Sequence, residues 1–267
     1  MIYFDIMQTY WIDSRDRVNN TTSDTGQFDY TLPEVFQNLK GINRVGLTMM
    51  ILPLTWYNIK DNFNNSLPVT VNSGPDAGSS TIVIGPEGIY NRMSQVASLL
   101  QTKLQAAFPS SSFTAVYNKR LDQVEVESDY EYVFDFSSTS TVPVKDLLGF
   151  EEVSYTATLS GGKYHLNSAI HPQLLPEYLA VKIDSETPGR RSIRDKQRSH
   201  SFIVPVIGEP GKGNIIYKSA LPDVGEFIFD VSNRDTLSLL KISITDSYEN
   251  VIDLRGGHLN MQIVISP

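Results

Sequence analysis

The chain has 267 residues, of which 40% are hydrophobic and 19% charged, with a net charge of −8 and no cysteine. That balance suits one large folded unit or two modest ones, and excludes a disordered chain, a disulfide framework and thiolate zinc sites. A general affinity of the whole surface for nucleic acid is excluded by the sign of the charge.

The opening run, MIYFDIMQTYW, is apolar but carries Asp5, has no basic segment before it and no small-residue cleavage site after it, so no secretory signal is expected. It ends in WIDSRDR, where Asp13, Arg15, Asp16 and Arg17 surround Ser14. Alternation through Tyr10, Ile12 and Ser14 reads as a strand leaving the core. Asp13 and Ser14 are then expected to cap backbone groups at the bend, leaving Arg15 and Arg17 to pair with carboxylates nearby or on a neighbouring subunit. The longest uncharged apolar stretch, VGLTMMILPLTWYNI, spans 15 residues and contains Pro53. A membrane helix needs about 20, so no membrane span is expected.

Further on, short runs alternate at period two: TIVIG (81–85), FTAVY (113–117), VEVES (124–128), YLAVKID (178–184), SFIVPVI (201–207), LLKISITD (239–246) and LNMQIVI (259–265). Turn signals separate them at Asn64-Asn65, Gly161-Gly162, Pro188-Gly189, Pro210-Gly211 and Gly256-Gly257. The fold class expected is mainly β, a jelly-roll β-sandwich.

One segment departs from period two. Ile89, Met93, Val96, Leu100, Leu104 and Ala107 form the stripe of an amphipathic helix, expected over 91–108 with Asn91 as N-cap and Pro109 beyond its end. Two strands follow, with a bend near Asn118–Arg120, so a small β-α-β-β unit is expected inside the β chain. The sequence places the α+β insertion at 76–159 and the jelly roll at 1–75 and 160–267. DLLGF (146–150) reads as a helical turn stopped by Gly149.

Catalytic chemistry finds little support. His165, His171, His200 and His258 show no metal-ligand spacing, and an assembled site with Asp253 or Glu177 stays a remote alternative to surface histidines. No GxSxG element occurs. Glu151 and Glu152 point to opposite faces of an extended chain, whereas Glu125 and Glu127 share one, most simply a solvated one. GEPGKGN (208–214) lacks the spacing of a phosphate loop. No catalytic, cofactor-binding or metal residue and no small-molecule substrate is expected.

GRRSIRDKQRSH (189–200) holds Arg190, Arg191, Arg194, Lys196 and Arg198 against Asp195 alone. It reads either as a solvated connection or as an electrostatic tether to an acidic partner subunit or to nucleic acid. With Arg15 and Arg17, these are the candidate subunit-interaction residues. Trp56, Tyr57, Tyr130 and Tyr132 raise a second possibility, a carbohydrate-binding jelly roll; a hydrolase on a β-sandwich is a third.

Several stretches in order carry a resemblance. YWIDSRDR, FDYTLPEVFQNLKGINRVGLTMMILPLTWYNI with Pro53, Tyr57, Asn58 and Ile59, GPEGIYN before the helix, DLLGF, and the closing ITDSYENVIDLRGGHLNMQIVI together resemble minor capsid and penton proteins. These are the vertex proteins of virophages, Polinton-like viruses and related large DNA viruses. The resemblance spans about 8 to 265. It implies an eight-stranded jelly roll forming a homopentamer at icosahedral fivefold vertices, in contact with the major capsid protein and other minor capsid proteins. It implies no catalysis and no cofactor, and a place in the virion after assembly in the host cytoplasm. Another minor capsid or cement role in the same particle is the alternative within the family.

Overall fold

A computed structural model describes residues 8–16, 27–32, 44–138, 141–151, 153–186, 200–206, 212–218, 226–230, 239–255 and 257–266. The chain divides into two compact units, Met1–Trp56 with Pro176–Pro267, and Tyr57–Leu175. Among the described residues, no helix is long and apolar enough to cross a membrane.

The first unit is built from β1 (Gln8–Asp13), β2 (Gln27–Thr31), β3 (Arg44–Pro53), β12 (Tyr178–Glu186), β13 (His200–Pro205), β14 (Asn214–Lys218), β15 (Glu226–Asp230), β16 (Leu239–Thr245) and β17 (Asn260–Ser266). One sheet runs β1-β17-β3-β14, and the other β13-β12-β16-β2, with antiparallel pairing throughout. β15 pairs β3 at Arg44–Leu47 and β14 pairs it at Met49–Pro53, so the two share one lane. Each sheet therefore has four lanes. In chain order these are 1-8-3-6 and 2-7-4-5, which is the double Greek key of a jelly roll.

Period-two patterning explains the burial, with one register shift in β3 between Leu47 and Met49. Leu240, Ile242 and Ile244 on β16 are buried with Leu179 and Val181 on β12, while Leu47, Met50 and Leu52 on β3 are buried with Met261 and Ile263 on β17. Tyr10 of one sheet meets Tyr30 of the other at a ring separation of 6.3 Å. Each fully buried aliphatic side chain of this kind stabilises the fold by about 1.5–3 kcal/mol.

The second unit interrupts the jelly roll between β3 and β12. It holds β4 (Ser66–Val71), β5 (Gly78–Val83), α1 (Met93–Ala107), β6 (Thr114–Asn118), β7 (Gln123–Ser128), β8 (Tyr132–Asp135), α2 (Val142–Leu148), β9 (Ser154–Thr156), β10 (Thr158–Ser160) and β11 (Lys163–Asn167). Its sheets run β5-β4-β8-β9 and β10-β11-β7-β6. β9 and β10 are one stretch of chain turning from sheet to sheet at Ala157, whose N–H donates to the Tyr132 carbonyl at 2.9 Å. The opposite edges, β5 and β6, both lie against α1.

This order explains the helix stripe. Met93, Val96, Leu100 and Leu104 are buried in a core with Val69, Val71, Val126, Tyr132 and Phe134, and Ala97 is buried beside them on the helix. The strand–helix–strand–strand order of β5, α1, β6 and β7 agrees with the sequence. The ends of the stripe do not: Ile89 and Ala107 are exposed. Arg92, not Asn91, is the N-cap, in extended conformation and without a side-chain cap; the Asn91 N–H donates to Gln95 Oε1 at 3.1 Å. α2 begins earlier than DLLGF, at Val142, with proline in its first turn. Gly149 closes it at φ 79°, a left-handed conformation that glycine adopts without a Cβ penalty.

Residues 57–75 and 160–175, read from sequence as sandwich, pack within the second unit. β4 lies between β5 and β8, and β11 lies between β10 and β7. Alternation alone does not say which sheet a strand joins, so these pairings carry no signal in the sequence.

Candidate subunit-interaction site

The charged corner after β1 assembles as the pattern of residue types suggests. Ser14 opens a short 3-10 helix, Ser14–Asp16, and is buried. Its N–H donates to the Leu259 carbonyl at 2.9 Å, and its Oγ accepts the Leu259 N–H at 2.9 Å. The side chain thus replaces the strand partner that β17 would otherwise lose as β1 bends away.

Asp13 accepts the Arg15 backbone N–H at 2.9 Å and the Arg15 Nε–H at 2.8 Å. The side-chain bond to Arg15 holds the Asp13 carboxyl below its ordinary range. Partial burial opposes this, and the Arg15 backbone N–H and the charges of Arg15 and His258 add to it. The same bond raises Arg15. The Arg15 side chain remains 64% exposed, so this guanidinium, oriented by a neighbour two residues away, faces solvent. The nearby carboxylate the sequence expected for it is Asp13. Arg17, Arg190, Arg191, Arg194, Lys196 and Arg198 lie outside the described residues.

Polar groups elsewhere fall into structural pairs. Glu125 and Glu127 share the outer face of β7; Glu125 accepts from Asn118 Nδ2 at 2.7 Å, and Glu127 lies 3.2 Å from His165 Nδ1. Asp253 accepts the Arg255 N–H. Glu152 and most of GEPGKGN lie outside the described residues. Among the described residues, no three His, Asp or Glu side chains come together to hold a metal ion.

The aromatic set proposed for carbohydrate does not form a platform. Trp56 and Tyr132 are 2% and 0% exposed, and only Tyr57 and Tyr130 are half-buried. Tyr132 Oη donates to the Val126 carbonyl at 2.7 Å, and burial raises its hydroxyl well above the ordinary value. Trp56 and Tyr132 are core residues.

Sequence reasoning missed the cluster at the β6–β7 turn. There Asp122 accepts from the Tyr117 hydroxyl on one oxygen and meets His171 Nδ1 with the other. The bond to Asp122, and then burial, pushes the Tyr117 hydroxyl up to about 12. Burial would raise Asp122, but Tyr117 and His171 together outweigh it and hold the carboxyl low. Residues 122 and 171 lie far apart in the chain, and no local spacing announces them.

No family model matches the chain, and no curated protein matches it in sequence. Among solved structures, the crystal structure of a selenomethionine-labelled mavirus penton protein matches with a TM-score of 0.57 at 10% identity. The match covers 97% of this chain and 99% of that one. An alignment through nearly the whole of both chains takes in the jelly roll and the inserted unit together. At this identity the likeness is one of architecture: the chain has a penton-like fold, a jelly-roll β-sandwich with a small α+β insertion.

Proposed function

We propose that this chain is a structural protein of a viral capsid, the penton, forming homopentamers at icosahedral fivefold vertices and contacting the major capsid protein around them. It acts by assembly, not catalysis, and its place is the virion, after assembly in the host cytoplasm. The observation that supports this best is the whole-length likeness to the mavirus penton protein. Jelly rolls serve many purposes, so fold by itself is an analogy. What strengthens it here is that the match includes the insertion between β3 and β12, and that the family-like stretches occupy structural corners. Within WIDSRDR, Ser14–Asp16 form the turn after β1, YNI meets GIYN within the inserted unit, and DLLGF ends α2.

Arg15, Arg17 and the basic segment 190–198 are the residues we assign to contacts between subunits. The burial of Trp56 and Tyr132 removes the motive for a carbohydrate-binding reading. Another minor capsid role in the same particle is separated from the penton by stoichiometry and position. Light scattering of the purified chain at high concentration tests the reading: a pentamer is expected. A chain that stays monomeric alone and beside the major capsid protein overturns it. Imaging of the assembled particle then places the chain at the fivefold vertices or away from them.

A further inference from the structure

The inserted unit contains two histidines, His165 and His171, and both face carboxylates of the β6–β7 hairpin. The first lies on β11 directly opposite Glu127 of β7, with Nδ1 3.2 Å from Glu127 Oε1. The second lies in the segment after β11 and meets Asp122 in the hairpin turn. Between them the same return segment is held by neutral bonds: the Ser168 N–H donates to the Val124 carbonyl, the Val124 N–H to Ser168 Oγ, and the Ile170 N–H to the Gly149 carbonyl.

The geometry at His165 places an acceptor at each ring nitrogen. Nδ1 faces the Glu127 carboxylate, and Nε2 lies 3.0 Å from the Ser160 carbonyl of β10. Both partners are acceptors. A neutral imidazole carries one N–H and satisfies one of them; the imidazolium carries two and satisfies both. The other charged groups on this face are Lys163 on the same strand and Glu125 on β7. Around His171 the groups are Asp122 and, on the carboxylate's far oxygen, Tyr117. Histidine is the side chain whose charge changes between about pH 5 and 8.

We propose that these two histidines form a protonation-sensitive clasp, which fastens the return segment 163–175 to the β6–β7 hairpin more firmly in mild acid than at neutral pH. Protonation turns two hydrogen bonds to carboxylates into ion pairs and lets His165 donate to the Ser160 carbonyl at the same time. The device belongs to the inserted unit by itself and does not depend on the capsid reading.

Hydrogen exchange of the full-length chain at about pH 8 and about pH 5.5, corrected for intrinsic rates, tests it. Peptides covering 163–175 are expected to gain about two- to fivefold protection at the lower pH for each pair, the range of exposed ion pairs. Peptides covering α1 serve as the reference and are expected to stay level. In the His165→Gln/His171→Gln variant the gain is expected to vanish. No gain in the wild type, or the same gain in the variant, overturns the proposal. If the double variant does not fold, Glu127→Gln and Asp122→Asn are measured singly. Each is expected to lose part of the gain, and full retention in both overturns the clasp.

Discussion

Asn58 and Tyr90 are 32 residues apart in the chain and joined by two hydrogen bonds of 2.8 Å. Asn58 Nδ2 donates to the Tyr90 carbonyl, and the Tyr90 N–H donates to Asn58 Oδ1. One side-chain amide thus reads the backbone of a single residue as a strand partner would. The arrangement is reinforced from behind: Asn64 Nδ2 donates to the Asn58 carbonyl at 2.7 Å, and the Lys60 N–H donates to Asn64 Oδ1 at 2.8 Å. Backbone bonds between Ile59 and Gly88 run in both directions alongside.

The consequence is testable. Asn58 is 7% exposed, and its removal leaves the Tyr90 N–H and carbonyl without these partners. Replacement of Asn58 by Ala is expected to cost about 2 kcal/mol or more in chemical denaturation, with the loss confined to the inserted unit. Asn58→Asp keeps the acceptor, loses the donor and is expected to fall between. A wild-type midpoint in Asn58→Ala would refute the account.

Gly149 gives a second prediction. Its φ of 79° is left-handed, and a Cβ there would lie 2.3 Å from the Ile170 carbonyl oxygen and 3.0 Å from Pro172. Those are backbone and ring atoms, which have no flexible end to swing aside. Gly149→Ala is therefore expected to destabilise by about 2 kcal/mol or more, combining strain with displacement of the return segment. Gly161, with φ 61° and open space around it, is the control: alanine there meets strain without a clash and costs less.

These two positions show how unevenly the molecule can be read from its residues. The stripe of α1 and the alternation of β16 follow from solvent: one face must be apolar, and the period reveals the element. Gly149 was legible too, because few other residues end a helix that way. Asn58 was visible only as part of a family-like pattern, since its partner is a backbone group brought near by folding. The same holds for Asp122 with His171. The extent of the inserted unit was misjudged because β4 alternates as any sandwich strand does. Trp56 and Tyr132 were misread because an aromatic in sequence does not show which side of a sheet it takes.

At the corner after β1, Ser14 and Arg15 are expected to separate cleanly. Ser14→Ala removes the buried acceptor of the Leu259 N–H and is expected to cost about 1–2 kcal/mol in stability. Arg15→Ala, on an exposed side chain, is expected to leave the monomer nearly as stable and to weaken assembly instead. A pentamer unaffected by Arg15→Ala would remove this residue from the interface.

Acid dependence follows from the carboxylates held low, with the sign fixed by their direction. Asp13 is depressed chiefly by its hydrogen bond from Arg15, and Asp122 by Tyr117 and His171 against the opposing effect of burial. A depressed carboxyl stabilises the fold above its unfolded value, near 3.9 for aspartate, and that contribution is lost as pH falls through the folded value. Melting temperatures are expected to hold above about pH 5 and to drop below about pH 4. Asp122→Asn is expected to flatten the drop. Both groups are partly exposed, so the effect is a fraction of what burial would give.

The basic segment 190–198 offers the sharpest test of assembly by charge. Five cations against Asp195 stand out on a chain with a net charge of −8. If they tether the chain to an acidic partner, Arg190, Arg191 and Arg194 changed together to Ser should weaken docking onto the major capsid protein. The loss should be largest at low salt, because at about 0.01 M the screening length is about 30 Å, and at about 1 M about 3 Å. Binding measured across that range is expected to show wild type and variant converging as salt rises. Parallel curves would mean that the arginines act through shape or not at all. Overlapping curves would leave the segment as a connection between β12 and β13, and the contacts between subunits would then rest on Arg15, Arg17 and the uncharged faces of the sandwich.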